Sequence, residues 1–355
     1  MTEQQGKSEG GKEPPSRSIN QFFELFQSSK NCLSGAKRLF RHAGFLLALA
    51  LLLLLSACTA QKSPMEQTAD YLLHTVTEPA CGSVGGEWTV LGLARSGLPV
   101  DQSYYDGYYT RLCSQLRDCG GILDERKNTE YSRVILALTA IGRDPSAAAG
   151  YNLILPLADF DKTTEQGLNG AIWALIALDA GAYEIPQTAS GTQATRERYL
   201  AYLLDAQSSS GAWGLTTGGA DVDMTAMALQ ALAKYTADAD VQAAVTRGLD
   251  WLSSQQRPNG AYVSYGDENS ESAAQVLVAL CELGIAPDDA RFTKNGHTLR
   301  EVLLRFACDD GSFRHTLSDR RGDLMATEQC MYALAAVSRI ERGESSLYRM
   351  QTDTP

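Results

Sequence analysis

The chain has 355 residues, a formal net charge of −11 and eight cysteines, and 44% of its residues are hydrophobic. That length and apolar share supply the core of one large globular domain or two small ones. The acidic balance excludes a nucleic-acid partner, whose phosphates it repels, and excludes attachment to anionic lipid through a basic patch.

The chain opens on a leader. Lys37, Arg38 and Arg41 precede an uncharged run from Ala43 to Leu55, and Leu55-Ser56-Ala57-Cys58 follows. This is the basic, apolar and small-residue succession of a secretory signal. The run of 13 residues is short beside the span of about 20 that crosses a bilayer. Leu-Ser-Ala-Cys resembles the bacterial lipobox. The resemblance implies that residues 1–57 are a leader and lipoprotein signal segment, and that Cys58 becomes a lipidated N-terminus. The mature chain is then extracytoplasmic, held at the bacterial membrane by its acyl groups. An uncleaved signal anchor is the alternative. The long stretch before the apolar run is either a cytoplasmic leader or the mark of a later start codon. Residues 58–64 read as a short linker.

From Ser63 onward helix follows helix. Apolar residues recur at steps of three and four in Tyr71–Val76, Trp88–Ala94, Tyr131–Ile141 and Ala171–Leu178. More amphipathic helices are expected over Ser103–Leu116, roughly Ala147–Asp159, Thr195–Gln207, Asp238–Ser254 and His297–Ala307. Gly, Pro and Asn mark the joints. The stretch from Tyr183 to Ala194 reads as a surface loop within the domain.

The most specific pattern is a repeat. Gln207-Ser-Ser-Ser-Gly211-Ala-Trp213 leads into Asp221-Val-Asp223-Met224-Thr225 and an Ala- and Leu-rich helix. Gln256-Arg-Pro-Asn-Gly260-Ala-Tyr262 leads into Ser270–Leu280, and Gly311-Ser-Phe313 leads into Met325–Leu334. The three glycines stand 49 and 51 residues apart, a repeat period. Counted in pairs, the chain gives six amphipathic outer helices and six inner ones that are apolar most of the way round. Six hairpins closing on themselves make an all-α fold, an α/α toroid with inner and outer rings of helices. It occupies residues 65–341 as a single domain, with 342–355 left as a tail.

Gln-x-x-x-Gly-x-Trp is the repeat motif of squalene–hopene and related terpenoid cyclases, and Asp221-Val-Asp223-Met224-Thr225-Ala226 is similar to their acid motif, short of its last Asp. Over residues 65–341 the chain resembles the terpenoid cyclase/protein prenyltransferase α/α toroid superfamily. It is similar in style to bacterial secreted proteins with prenyltransferase/squalene-oxidase-type repeats, and to the ring of intrinsic factor and transcobalamin. The superfamily contains synthases, lipid transferases and plain binders, so fold alone does not choose a function.

If the family chemistry is carried over, Asp223 is the proton donor of a cyclase and Asp221 its neighbour, with Met224 where the family has a further carboxylate. The bland reading makes Asp223 a cap on the free N–H groups of the following helix. No zinc constellation of the prenyltransferase kind is present, no short-spaced ligand set marks a metal site, and no cofactor is implied. A glycosidase would need two carboxylates about 5 or 6.5–9.5 Å apart, for which Glu130, Asp223, Glu271 and Glu328 stand near inner-helix starts. Cys81, Cys113, Cys119, Cys281, Cys308 and Cys330 read as structural, and an oxidising compartment permits a Cys113–Cys119 bridge.

In such a ring the inner helices run parallel, and their N-termini open on one electropositive mouth. Trp88, Trp213, Tyr262 and Phe313 are expected near it, with Tyr131 and Trp173 facing the cavity. Trp88, Tyr131, Trp173, Trp213 and Tyr262, with Glu130, Glu271 and Glu328, form the candidate ligand site. The expected function is binding of a bulky, partly apolar small molecule (a corrinoid, an isoprenoid or a saccharide) without catalysis. The alternative is a cyclase- or prenyltransferase-like enzyme that uses Asp223 as general acid. For the outer motif residues Gln207, Trp213, Tyr262 and Phe313, packing alone also accounts for the sequence.

Overall fold

The computed structural model describes residues 62–216 and 218–351. The leader, the lipidation candidate Cys58 and the first part of the linker lie outside the described residues. Twelve α-helices are present among those described. The outer set is α1 (Pro64–Thr75), α3 (Gln102–Asp118), α5 (Phe160–Thr164), α7 (Arg196–Asp205), α9 (Ala239–Gln255) and α11 (Leu299–Leu304). The inner set is α2 (Glu87–Ser96), α4 (Asn128–Ala140), α6 (Leu168–Ala180), α8 (Val222–Leu232), α10 (Ser270–Glu282) and α12 (Leu324–Glu341). Each inner helix packs on the next, and α12 packs on α2, so the ring closes. The α/α toroid expected from the repeat is the fold.

The sequence explains both rings. Outer helices carry side-chain caps and one wet face. Ser63 and Glu66 form a capping box on α1, Thr298 and Glu301 another on α11, and Asp238 caps α9. Inner helices are apolar nearly all round, as in Leu168–Ala180, where burial continues through every turn. Small residues let the inner helices approach closely. A Cβ at Gly92 of α2 would stand 3.0 Å from the Met331 side chain of α12, at the junction that closes the ring.

The repeat motif is visible as one local structure made twice over. Gln207 Nε2 donates to the carbonyls of Gly211 (2.8 Å) and Ala244 (2.9 Å), the latter on the next outer helix. Gln256 Nε2 donates in the same way to Gly260 (2.9 Å) and Phe292 (2.9 Å). Each glutamine thus ties its turn to the neighbouring hairpin. The turn glycines have φ of 92°, 83° and 88° at Gly211, Gly260 and Gly311, a region closed to most side chains. The backbone N–H of Trp213 donates to Thr225 Oγ1 (3.0 Å), and that of Phe313 to Thr327 Oγ1 (2.9 Å), pinning each turn to an inner-helix start.

Two expectations are corrected. No helix covers Ala147–Asp159. Ala149 and Gly150 have positive φ, Asn152 Oδ1 accepts from the Ile154 N–H (3.0 Å), and Pro156 opens a 3₁₀ turn over Leu155–Ala158. The chain coils compactly there, and the third outer helix is reduced to the five residues of α5. A short antiparallel hairpin also appears, β1 (Val263–Ser264) with β2 (Asp267–Glu268), inside the connection that leads to α10.

The segment after α12 packs back across the ring at the C-terminal ends of the inner helices. The Arg95 guanidinium, near the end of α2, donates to the carbonyls of Ser346 (2.7 Å), Leu347 (2.9 Å) and Arg349 (3.1 Å). The Glu282 carboxylate, ending α10, accepts from Ser346 Oγ (2.6 Å) and the Tyr348 N–H (3.1 Å). Met350 N donates to the Ala180 carbonyl, the last residue of α6 (3.0 Å). Leu347 and Tyr348 are buried by this crossing. All six cysteines of the described residues are free thiols, including Cys113 and Cys119.

Candidate functional site: the mouth of the ring

The N-terminal ends of the inner helices meet at one opening. Gly85 N, entering α2, donates to Glu328 Oε1 of α12 (3.0 Å). Arg133 of α4 reaches Glu87 of α2 (2.8 Å), and the Thr129 N–H of α4 donates to Gln166 Oε1 just before α6 (3.1 Å). Ser264, before α10, donates to Asp221 before α8 (3.4 Å). Such contacts join helix start to helix start, so the inner helices are parallel and the mouth exists as expected.

Four of the six inner helices bring a carboxylate into their first turns, Glu87, Glu130, Asp223 and Glu271, and α12 brings Glu328 just after its first turn. Their environments differ. Glu87 is fully buried, accepting from Arg133 Nε (2.8 Å) and from Tyr108 Oη (2.8 Å). Arg133 also pairs with Glu130 (2.5 Å), so two carboxylates share one guanidinium. Glu271 meets His315 Nδ1 at 2.9 Å. Among the described residues, Asp223 and Glu328 have no cation as a hydrogen-bonding or ion-pair partner.

Asp221, not Asp223, caps α8: its side chain accepts from the Met224 N–H (2.9 Å). Asn269 and Asp323 cap α10 and α12 at the equivalent places. The capping reading of Asp223 is therefore overturned. Asp223 is the second residue inside α8, and its Oδ1 is buried without a partner. Burial raises its pKa to about 6, with the Ser272 hydroxyl pulling the other way and the Asp221 charge adding to the rise. Glu328 is inaccessible to solvent. Its Oε1 is taken by Gly85 N and Thr89 Oγ1, while Oε2 has no partner. Burial raises Glu328 to about 7, against the lowering effect of the Thr89 hydroxyl. Two acids with raised pKa thus stand near the inner-helix starts, Glu328 shut off from solvent.

Below them the axis is filled. Trp88 of α2 meets Trp173 of α6 with ring centroids 5.1 Å apart, and Tyr332 of α12 at 5.8 Å. Trp173 in turn meets Tyr348 of the crossing segment at 6.1 Å. A polar chain lies beside this stack. Gln230 Nε2 donates to Gln275 Oε1 (2.9 Å), and Gln275 Nε2 donates to Tyr332 Oη (2.7 Å) and Gln329 Oε1 (3.0 Å). Aromatic rings thus fill the axis beneath the inner-helix starts. Beside it a cleft of about 640 Å³ opens between Glu271, His315, Arg320, Arg321 and Met325.

Of the expected site residues, the ring brings together Trp88, Trp173, Asp221, Asp223, Glu130, Glu271 and Glu328. Three are corrected. Trp213 and Tyr262 are wholly buried between the two helix layers, with Trp213 Nε1 spent on the Leu203 carbonyl (2.7 Å). Tyr131 is buried behind the rim, where its hydroxyl accepts from Leu123 N (3.0 Å). Sequence reasoning missed Glu87, Arg133 and the glutamine chain. Their signal was present: a lone Arg in Ser-Arg-Val-Ile-Leu and a lone Gln in Ala-Leu-Gln-Ala-Leu are polar residues inside helices otherwise buried all round.

Comparisons with known proteins agree with this fold. No family model matches the chain. Among curated proteins it is 25% identical over 239 residues to a copalyl diphosphate synthase from Streptomyces cyslabdanicus, covering 64% of this chain and 43% of that protein. The chain therefore spans less than half the length of the relative it matches. Among solved structures it is similar to the type II terpene cyclase MstE from Scytonema, in complex with geranylgeranyl dihydroxybenzoate, with a TM-score of 0.51 and 14% identity over 78% of this chain and 98% of that one. It is equally similar to the unsaturated glucuronyl hydrolase of Bacillus sp. GL1, a protein responsible for glycosaminoglycan degradation, at a TM-score of 0.51 and 14% identity over 81% and 97%. The chain is thus an α/α toroid of the kind found in terpene cyclases and in a glycosaminoglycan-degrading hydrolase.

Proposed function

We propose that the mouth binds a bulky, partly apolar small molecule that carries oxygen acceptors, and that Asp223 and Glu328 bind it as neutral acids donating hydrogen bonds. One observation carries this reading: two buried carboxyls, near the starts of α8 and α12, each keep an oxygen without a partner among the described residues. Buried polar atoms are ordinarily satisfied, and such exceptions concentrate where a ligand completes them. The Trp88 and Trp173 faces supply the apolar floor, which fits a corrinoid, an isoprenoid or a saccharide ring. The ligand is held without catalysis. We also propose that Cys58 carries a lipid that tethers the toroid outside the bacterial membrane.

A thermal-shift screen of those three ligand classes tests the binding reading. A ligand at 100 times its dissociation constant stabilises by about 2.7 kcal/mol. That shift is expected to fade in the unchanged protein above pH 8, where both acids are ionised, and to persist there in the Asp223→Asn, Glu328→Gln double variant, whose amides donate at any pH. A panel without any shift contradicts the reading. Loss of membrane fractionation in Cys58→Ser tests the tether.

A second reading, an enzyme with Asp223 as general acid, is favoured by the transfer of the capping role to Asp221. A group titrating near 6 suits proton exchange with an oxygen atom. It is a weak acid for an alkene, and Met224 supplies no neighbouring carboxylate. Product analysis with squalene and prenyl diphosphates decides the matter. Turnover abolished by Asp223→Asn and retained by Asp221→Asn establishes catalysis, and its absence leaves the binder.

A further inference from the structure

At the far end of the ring, where the inner helices finish, a cavity of about 360 Å³ lies against the C-terminal crossing segment. Its walls come from the ends of α6, α8 and α10 and from that segment. Two wall residues keep polar atoms that nothing satisfies. Gln230 is 4% exposed, and its Nε2 donates to the Gln275 carbonyl and to Gln275 Oε1 (both 2.9 Å). The backbone carbonyl fixes which way the amide points, so Oε1 is the atom left without a partner among the described residues. Tyr348 is 5% exposed, and its hydroxyl also lacks a partner. The remaining wall carries both signs of charge. Asp179 pairs with Arg196 Nε (2.7 Å) and Lys234 Nζ (3.0 Å), and Glu282 accepts from Ser346 Oγ and the Tyr348 N–H. Lys234 and Arg349 are the exposed cations of the wall.

We propose that this cavity is a second ligand site, which holds a free amino acid as its zwitterion against the C-terminal segment. The buried side of the wall asks for a donor. Gln230 Oε1 only accepts, Glu282 is a carboxylate, and the finishing helices present the negative ends of their dipoles. An ammonium group answers all three. The solvent side asks for the opposite, since Lys234 and Arg349 suit a carboxylate. The Tyr348 hydroxyl serves either group. A sugar would leave the two cations without an anion, and a bare anion would leave Gln230 unanswered. The volume stands near the lower end of the range of about 300–1,000 Å³ for ligand pockets, which suits one small molecule and not the bulky ligand proposed for the mouth. Gln230 Oε1 and Tyr348 Oη are both shielded from solvent. The ligand therefore reaches them as the crossing segment yields, and braces that segment once bound. None of the mouth carboxyls takes part, so this site stands or falls apart from the reading given for them.

The test heats the full chain with each standard L-amino acid in turn, beside glucose, inositol and inorganic phosphate. At least one amino acid is expected to raise Tm, while its decarboxylated amine and its deaminated acid do not. Hydrogen exchange with that amino acid bound is expected to slow at Ser346–Met350 and at the end of α8, and to stay unchanged in the β1–β2 hairpin at the mouth. Arg349→Ala removes an exposed side chain and is expected to weaken binding about tenfold, the loss of one charge-assisted hydrogen bond. Gln230→Met is expected to abolish binding, and because it alters the core, Arg349→Ala carries the decision if that variant does not fold. A panel in which no amino acid acts overturns the site, as does a shift given equally by the sugars or by phosphate. Affinity unchanged in Arg349→Ala, or protection at the mouth in place of the C-terminal segment, also overturns it and leaves the mouth reading untouched.

Discussion

Asp221 and Asp223 are two residues apart and physically opposite. Asp221 lies outside the first turn of α8, where its carboxylate satisfies a free N–H; Asp223 lies inside that turn, where burial disfavours its charge. The sequence Asp-Val-Asp shows that one caps and cannot say which, because caps are decided by where the extended backbone ends. Removing the cap in Asp221→Ala is expected to cost about 1 kcal/mol, whereas Asp223→Asn is expected to cost nothing at pH 8, both read from urea unfolding. The pH dependence follows from the direction of the shifts. Asp223 moves from 3.8 to about 6 and Glu328 from 4.5 to about 7 on folding, so the folded state holds more protons than the unfolded state between those values. Their contribution is fully present below about pH 4 and is lost as pH rises to 7. The Asp223→Asn, Glu328→Gln double variant is expected to flatten that decline, and an unchanged slope would contradict the assignment.

At the scale of elements, the hairpins were legible wherever the repeat was intact. Gln207 and Gln256 announce turns, and the helices that follow them lie where the apolar periodicity puts them. The third hairpin was misread because Ala147–Asp159 has a helical apolar spacing, while Gly150, Asn152 and Pro156 supply local turns that win over it. The repeat glycines can be tested directly. A Cβ at Gly311 would stand 2.3 Å from the Gln67 carbonyl oxygen, whereas Gly284, with φ of 69°, has open space around it. Gly284→Ala is expected to cost only the left-handed penalty of about 1–2 kcal/mol. Gly311→Ala is expected to exceed it clearly, since α1 must move off the turn. Equal costs in denaturant titrations would mean that the turn does not hold the first and last hairpins together.

At the scale of the whole molecule, ring closure and the parallel inner helices followed from counting hairpins, and so did a mouth lined by helix starts. The filling of the axis did not. It depends on three aromatics from α2, α6 and α12 meeting at a distance no local pattern encodes, and on a C-terminal segment that returns over the far end through Arg95 and Glu282. Nor did the sequence tell rim from core for Trp213 and Tyr262, since the same aromatic that marks the turn is the one buried beneath it. With the middle occupied, openings remain at both ends, a cavity of about 360 Å³ between Asp179, Lys234, Glu282 and Tyr348 at the far end and the cleft beside Glu271 and His315 at the helix starts, and the chemistry proposed for the mouth rests on two acids with raised pKa. Carbon-13 NMR titration of the side-chain carboxyls, with Asp223→Asn and Glu328→Gln supplying the assignments, measures this directly. Midpoints near 6 for Asp223 and near 7 for Glu328 are expected. Titration of both near 4, as for carboxylates in water, would contradict the account.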